Sequence, residues 1–444
     1  MRKVLYLPIE ESARELEARL ILAHFALRDG WRVVVGHQML LTKIIHEFPV
    51  GVYFAKGTNA IQCNKIRPLK ARGFGIVSIE EENVPLAEPL LIKNLMARDV
   101  AEMTDVYLAH GAFDAEVVTE ANPAIDGKVE IVGVGRFDLL KPLFLEQRRE
   151  KAAELRAKYG DFVLLNTNFG YANTFVGSPE EFYRKLLVGM GIVDESDPEE
   201  VALWQRALEF ETRTMEGFKQ LARALADEVP VVLRPHTSEN IDTWHALAAE
   251  REWAGRLSVV REGPVVDWIH ASRLVVQNSC TTGLEAKVMG RPVISFTPFD
   301  NGMAACFVAN RVLRRIESVP EIVDLARRVA GGQALDGQLA TGGREPMNRY
   351  VRDADDELVS ERQWRAIRRK FDGASQTATE QDFPGKKFAL KGAHAHYRVK
   401  FSVTTQQFRE AFVMVSRALR GTFPVTLRVA GEGLFELSRT QDGD

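Results

Sequence analysis

The stretch Arg273-Leu-Val-Val-Gln-Asn-Ser-Cys-Thr-Thr-Gly-Leu-Glu-Ala-Lys-Val-Met-Gly-Arg-Pro-Val-Ile-Ser-Phe296 constrains the fold more than any other part of the chain. An apolar run from Leu274 to Gln277 reads as a buried strand, a hydroxyl-rich loop comes next, a short helix stops at Gly290, and a second apolar run begins. Strand, tight loop, helix and strand in so short a span is the repeating unit of a parallel α/β sheet. The helix N-terminus leaves backbone N–H groups open beside Ser279, Thr281 and Thr282, where an anion can sit. Upstream, Val231-Val-Leu-Arg-Pro-His-Thr-Ser-Glu239 has the same form, an apolar strand ending in Arg234 and His236. Those side chains suit a phosphate and a proton transfer. Ligands of open α/β sheets bind beyond the carboxyl ends of the strands, and both segments put their polar residues there.

The same alternation runs through the first third. Strands are expected at Lys3–Leu7, Trp31–Val35, Val52–Ala55, Gly75–Ile79, Val106–Ala109 and Val129–Val134. A helix from Ser12 to Asp29 carries Leu16, Leu20, Ala23 and Leu27 on one face and stops at Gly30. Gly133-Val-Gly-Arg-Phe-Asp138 marks the exit from this first domain. A charged helix (Glu146 to Lys158) then leads to a second α/β unit beginning at Phe162 and running to about Val329. The expected division is 1–145, 146–345, and a C-terminal part, 346–444, made of a helical segment, a linker and a small appendage. A chain of 444 residues is long enough for two separate cores.

Composition excludes several classes. A net charge of −3 gives no reason to expect a nucleic-acid partner. Cys63, Cys280 and Cys306 fit no zinc or redox spacing and suggest a reducing, cytoplasmic setting. The apolar start of the chain is too short for a signal peptide, and no run approaches the ~18 residues of a spanning helix. Gly133-x-Gly135 lacks the third glycine of a dinucleotide fingerprint. Asp353-Ala-Asp355 lies in a charged stretch outside both sheets and reads as a solvated face, so neither a cofactor nor a metal is expected.

The site candidates each have a plain structural alternative. Arg234, at a buried strand end, needs an anion to offset its desolvation. His236 is a ligand or a satisfied structural histidine, and Glu239 a site residue or a helix-start carboxylate. Thr282-Gly-Leu-Glu285 fits a capping box, and the same residues can serve a ligand. Asn166-Thr-Asn-Phe-Gly170 brings Asn168 and Gly170 to a strand end as a turn or a binding loop. In the first domain Glu10 and Glu11 come after one strand, Lys56-Gly-Thr-Asn59 after another, and Glu80-Glu-Glu82 after a third. Consecutive acids are usually solvated surface, but at a strand's carboxyl end one can act as general base or nucleophile.

Arg14-Glu-Leu, Ser78-Ile-Glu-Glu-Glu82, Gly135-Arg-Phe-Asp138, Asn166-Thr-Asn-Phe-Gly170, Arg234-Pro-His236 and Asn278-Ser-Cys-Thr-Thr-Gly-Leu-Glu285 together resemble bacterial surface-carbohydrate biosynthesis proteins, over about residues 1–330. These are glycosyltransferase-like enzymes of GT-B architecture. The resemblance implies two Rossmann-like domains with parallel sheets facing across an interdomain cleft, plus a C-terminal extension. More distantly, the Arg-Pro-His and Ser-x-Thr-Thr elements are similar to those with which Kdo and sialic-acid-type transferases hold a CMP-activated donor, although their more usual order is His-Pro. The activity implied by this likeness is that of a transferase moving an acidic sugar from CMP to a glycan or lipid-linked glycan. Asn168, Gly170, Arg234, His236, Ser279, Thr281, Thr282, Gly283 and Glu285 would then hold the donor, with Glu285 on ribose hydroxyls. Glu81, Glu82 and His236 would be catalytic, and Glu10, Glu11, Arg14 and Lys56 would stand on the acceptor side. A nucleotide-sugar epimerase or hydrolase of the same plan and a non-catalytic scaffold stay open. Between Glu361 and Lys400, ten Lys/Arg face four Asp/Glu with Trp364, Ile367, Phe371 and Phe388 interspersed. This segment is either a peripheral contact with an anionic inner membrane or a helix closing against the second domain.

Overall fold

In the computed structural model, described for residues 3–93, 96–189, 191–251, 253, 255–333, 343, 345–352, 357–373, 383–389, 401–421 and 423–440, the chain forms two compact units. Unit 1 comprises Met1–Val84, Pro89–Gln147 and Asn348–Asp444; unit 2 comprises Pro85–Glu88 and Arg148–Met347. Each is built on a parallel sheet.

In unit 1, β1 (Val4–Ile9), β2 (Arg32–His37), β3 (Val52–Lys56), β4 (Gly75–Ile79), β5 (Val106–Ala109) and β6 (Val129–Ile131) lie in the order β2-β1-β3-β4-β5-β6. Helices cover both faces, so the central strands read as continuous apolar runs. β1 sends Leu5, Leu7 and Ile9 to one core and Val4 and Tyr6 to the other, as strand alternation requires. The helix Ser12–Arg28 buries Leu16, Leu20, Ala23 and Leu27 and ends where Gly30 takes a φ of 82°.

Unit 2 holds β7 (Val163–Asn166), β8 (Val231–Arg234), β9 (Leu257–Val259), β10 (Leu274–Gln277), β11 (Val293–Phe296) and β12 (Arg315–Ile316). Their order is β12-β11-β10-β7-β8-β9, every pair parallel. The helix Pro198–Ala226 starts with Pro198 at its first position, and the Asp197 side chain accepts from the N–H of Glu199 at 2.8 Å. It buries Phe218, Leu221 and Leu225 among the strands' apolar residues.

The C-terminal part differs from the expected appendage, because its described residues complete unit 1. β13 (Val425–Gly431) and β14 (Leu434–Arg439) form an antiparallel hairpin, and β14 pairs antiparallel with β2, Phe435 opposite Val35. The approach is close enough that a Cβ on Gly36 would stand 2.1 Å from the Gly433 carbonyl oxygen. The helix Val359–Phe371 packs on Ser12–Arg28, not on the second unit: Trp364 meets Trp31 edge-on at 5.0 Å and donates from Nε1 to Asp29 at 2.8 Å. Trp364, Ile367 and Phe371 are therefore core residues, while Phe388 is half-buried. Asp138, from the Gly-Arg-Phe-Asp motif, accepts from the N–H groups of Val359 (2.7 Å) and Ser360 (2.8 Å), which satisfies two open donors of that helix's first turn. The motif thus anchors the tail. Asp353-Ala-Asp355, the linker after Gly373 and the basic residues from Lys391 to Lys400 lie outside the described residues. Among the described residues no helix is long and apolar enough to cross a membrane.

Candidate functional site

Counted from β7, the unit 2 sheet has the strand order 3-2-1-4-5-6, which reverses between β7 and β10. Loops leaving adjacent strands in opposite directions open a crevice at such a point, where doubly wound sheets bind ligands. Asn166 ends β7 and Asn278 comes directly after β10, and the two strands pair Asn166 with Gln277. Asn168 Nδ2 donates to the Ser279 carbonyl oxygen at 3.2 Å and ties the two loops together.

Ser279 has a φ of 55°, a left-handed conformation strained for any residue with a Cβ. Neighbours hold it there. Its Oγ donates to Asn278 Oδ1 at 3.0 Å and accepts from Asn310 Nδ2 at 3.1 Å. The helix Thr281–Val288 begins just after it, with Cys280 at the cap position making no side-chain capping bond. The capping box expected of Thr282 and Glu285 is therefore not formed: the helix starts earlier and places Glu285 in its second turn, buried. Thr281 and Thr282 are half-buried, and Thr282 Oγ1 is itself buried with no hydrogen-bond partner among the described residues. Gly283 serves packing, since a Cβ there would stand 2.8 Å from both Gln277 and Leu313 side-chain atoms. The amides of Asn166 (3% exposed) and Asn278 (0%) each have a buried Nδ2 with no hydrogen-bond partner among the described residues. A buried donor left unmade costs ~1–3 kcal/mol, and two such donors stand at this switch point.

The β8 end is more self-contained than its sequence suggests. Arg234 donates to the carbonyl oxygens of Glu262 (2.7 Å) and Gly263 (2.5 Å). Burial lowers its pKa to about 10, with Glu262 opposing that shift. The expected need for an anion is met by this turn. His236 is exposed; its Nδ1 lies 2.7 Å from Ser238 Oγ and accepts from the Ser238 N–H at 3.3 Å, which shapes the turn. A Cβ on Gly170 would stand 2.8 Å from that same Ser238 Oγ, so the two loops approach closely. Glu239 is neither a helix-start carboxylate nor open to a ligand. The next helix is capped by Asn240, while Glu239 accepts from Thr167 Oγ1 (2.6 Å), His236 N (2.9 Å), Trp244 Nε1 (3.0 Å) and Asn173 Nδ2 (3.3 Å).

In unit 1 the strand order reverses between β1 and β3, and the candidates there neutralise one another. Lys56 reaches Glu15 at 2.6 Å and Glu10 at 3.3 Å. Burial would lower the Lys56 pKa, but Glu15, Glu81 and Glu10 outweigh it and raise it. Glu11 precedes the first helix with its N–H on Glu15, and Arg14 stands 3.7 Å from Glu82. The three consecutive acids divide. Glu80 is buried, accepts from Thr58 N (2.6 Å) and Oγ1 (2.8 Å), and is raised by burial to about 7. Glu81 is buried too, but Arg19 at 3.4 Å, with Arg136, Arg14 and Lys56, overcomes burial and holds it at about 2. A carboxylate at that value is a poor proton acceptor, which weighs against the catalytic role expected of Glu81. Only the Glu82 side chain, 62% exposed, fits the surface reading.

Several participants carried no usable sequence signal. Asn310 comes from a helix far along the chain. Glu211 looks like an ordinary surface acid of the Pro198–Ala226 helix, yet it accepts from the N–H groups of Tyr171 (2.8 Å) and Ala172 (3.0 Å) in the β7 loop. Burial raises it to about 8 against those bonds. Arg19 sits at an apolar-face position of the first helix and reads as an interruption of its pattern.

A comparison with protein-family models finds no match, and neither does one with curated proteins. Among solved structures the chain is similar to the wall teichoic acid polymerase TagF, in a variant soaked with CDPG, at 11% identity, over 83% of this chain and 88% of that one, with a TM-score of 0.50. It is similar also to S. aureus MnaA in a co-structure with UDP, at 14% identity, over 85% of this chain and 98% of that one, with a TM-score of 0.51. These likenesses establish the fold class, two parallel-sheet α/β units of GT-B type.

Proposed function

We propose that this protein is a glycosyltransferase of surface-glycan synthesis that draws its sugar from a nucleotide-activated donor, with the nucleotide seated at the β7/β10 switch point. The observation that carries the reading is the pair of buried, unused amide donors on Asn166 and Asn278 beside the strained Ser279. With the N–H groups at the start of the Thr281–Val288 helix, they form a fixed set of dipoles suited to charge developing on a departing phosphate. The ligands named for the two fold neighbours, CDPG and UDP, support a nucleotide for a chain of this fold. The finer reading, an acidic sugar such as Kdo or another nonulosonic acid carried on CMP, rests on the Arg234-Pro-His236 and Ser279-x-Thr281-Thr282 resemblance. We read the acceptor as a glycan or lipid-linked glycan and the reaction as needing no cofactor or metal.

A thermal-shift panel of CMP, UDP, CMP-Kdo and UDP-sugars tests this. A ligand present at 100 times its Kd adds ~2.7 kcal/mol of stability. Stabilisation by UDP compounds alone removes the CMP donor, and stabilisation by none removes the nucleotide site. Of the three consecutive acids Glu80, Glu81 and Glu82, Glu82 is the exposed carboxylate and the remaining candidate base. Glu82→Gln is expected to lower turnover by ~10²-fold or more with nucleotide binding unchanged; full activity returns it to the surface. Glu211, able to hold a proton near neutral pH beside the β7 loop, favours a second reading as an epimerase or hydrolase. Its mark would be isomerised or released sugar in the absence of any acceptor.

A further inference from the structure

A groove of about 480 Å³ lies between the helix Thr405–Ala418 and the β13–β14 hairpin, lined by Phe408, Phe412, Val413, Phe423, Val425 and Leu427 among others. That volume falls in the range of small-molecule sites, ~300–1,000 Å³. Phe408 anchors the helix by stacking on Phe435 at 4.0 Å. Beyond that anchor the two elements leave Phe412, Phe423, Val425 and Leu427 half-buried and Val413 44% exposed.

The cations around it have no ion pair among the described residues. Arg409 and Arg417 line the groove, exposed, and among the described residues neither has a carboxylate partner. With Val413 they fall at four-residue spacing, hence on one face of the helix. The one acid of that helix, Glu410, accepts from Gln406 at 2.9 Å. Arg420 comes next, exposed and likewise without a carboxylate partner among the described residues. It has a φ of 50° at a helix end closed by the Gly421 N–H on the Ser416 carbonyl. Glycine is the usual residue at such a position, so the chain carries strain there to present a third cation.

We infer that this groove binds an anionic phospholipid of a bilayer, one hydrocarbon chain lying against Phe412, Phe423 and Leu427 and the headgroup meeting Arg409, Arg417 or Arg420. A second copy of the chain is the wrong occupant, because a two-fold contact would bring the same arginines together. A protein partner needs ~800 Å² on each side, more than a groove of this size offers. The site is separate from the Val359–Phe371 helix, whose aromatic residues are spent in the core.

The test uses the full chain with vesicles of phosphatidylcholine, with and without phosphatidylglycerol, at low salt. Binding to the anionic vesicles, and acyl-chain photo-crosslinks mapping to residues 408–427, are the expected results. Arg409→Glu with Arg417→Glu should weaken binding by roughly 30-fold or more, at ~5-fold for each arginine removed. Arg420→Gly relieves the strained φ, so its melting temperature should hold or rise while vesicle binding falls by roughly 5-fold. Nucleotide stabilisation, read in parallel, should stay unchanged in every variant. Equal binding to neutral vesicles, crosslinks elsewhere, full binding by the double variant, or capture of an acidic amphipathic peptide but of no vesicle would each overturn the assignment.

Discussion

The two sheets share a plan, yet the loops at their switch points are opposites. At β1/β3 of unit 1 the polar residues are charged and paired, Lys56 with Glu15 and Glu10 and Glu81 with Arg19, although Glu81 Oε2 and Arg19 Nε and Nη2 make no hydrogen bond among the described residues. At β7/β10 of unit 2 they are neutral amides and hydroxyls, and two buried donors have no partner among the described residues. Paired charges hold loops in place by electrostatic attraction, and neutral amides hold them by hydrogen bonds alone.

The largest expected effect breaks the charged side. Arg19→Ala leaves Glu81 buried without its nearest cation and should cost ~3–5 kcal/mol of unit 1 stability in urea denaturation. A loss under ~1 kcal/mol would show that the network is not the structural element described.

The neighbouring acids sharpen the comparison through pH. Burial raises Glu80 to about 7, so the folded state keeps a proton that the unfolded chain releases near its ordinary 4.5. Stability should fall as pH rises from ~4.5 to ~7, by roughly 3 kcal/mol. Glu81, held at about 2, acts in the other direction: its contribution is present above ~4.5 and is lost as pH drops toward 2. Glu211 and Glu239 titrate in the same sense as Glu80, so Glu80→Gln against wild type isolates the one residue. An unchanged slope between pH 4.5 and 7 in that variant would contradict the account.

A smaller effect separates packing from binding inside the β10 loop. Gly283→Ala places a methyl against Gln277 and Leu313 and should cost ~1–3 kcal/mol with nucleotide affinity unchanged. A loss of affinity with stability intact would return Gly283 to the site.

The fold was readable because periodicity is local. The strands at Val52, Gly75, Val106, Val231 and Leu274 and the Ser12 helix all announced themselves as apolar runs between turn residues. The tail was not readable, because β14 joins β2 across nearly the whole chain and Asp138 reaches Val359 by a contact that no local pattern encodes. The polar residues at β7 and β10 stood out as strand-end clusters, and there Asn168 meets Ser279. Partnership is what a sequence conceals. Arg234 looked in need of an anion until two carbonyl groups proved to satisfy it, and Glu80, Glu81 and Glu82, identical side chains in a row, have three different environments.

Isothermal titration of CMP and UDP into wild type and Asn278→Leu tests the central claim most directly. Leucine keeps the shape and removes the unused amide donor together with the Oδ1 that accepts from Ser279 Oγ, so the unliganded protein should lose about the 0.5–1.5 kcal/mol of that one bond and no more. Affinity for the nucleotide that wild type binds should fall by ~10- to 10²-fold, the loss of one hydrogen bond to a charged group. A variant that binds as tightly as wild type and melts well below it would mean that the Asn278 amide serves the fold, and that the β7/β10 switch point is not where the nucleotide sits.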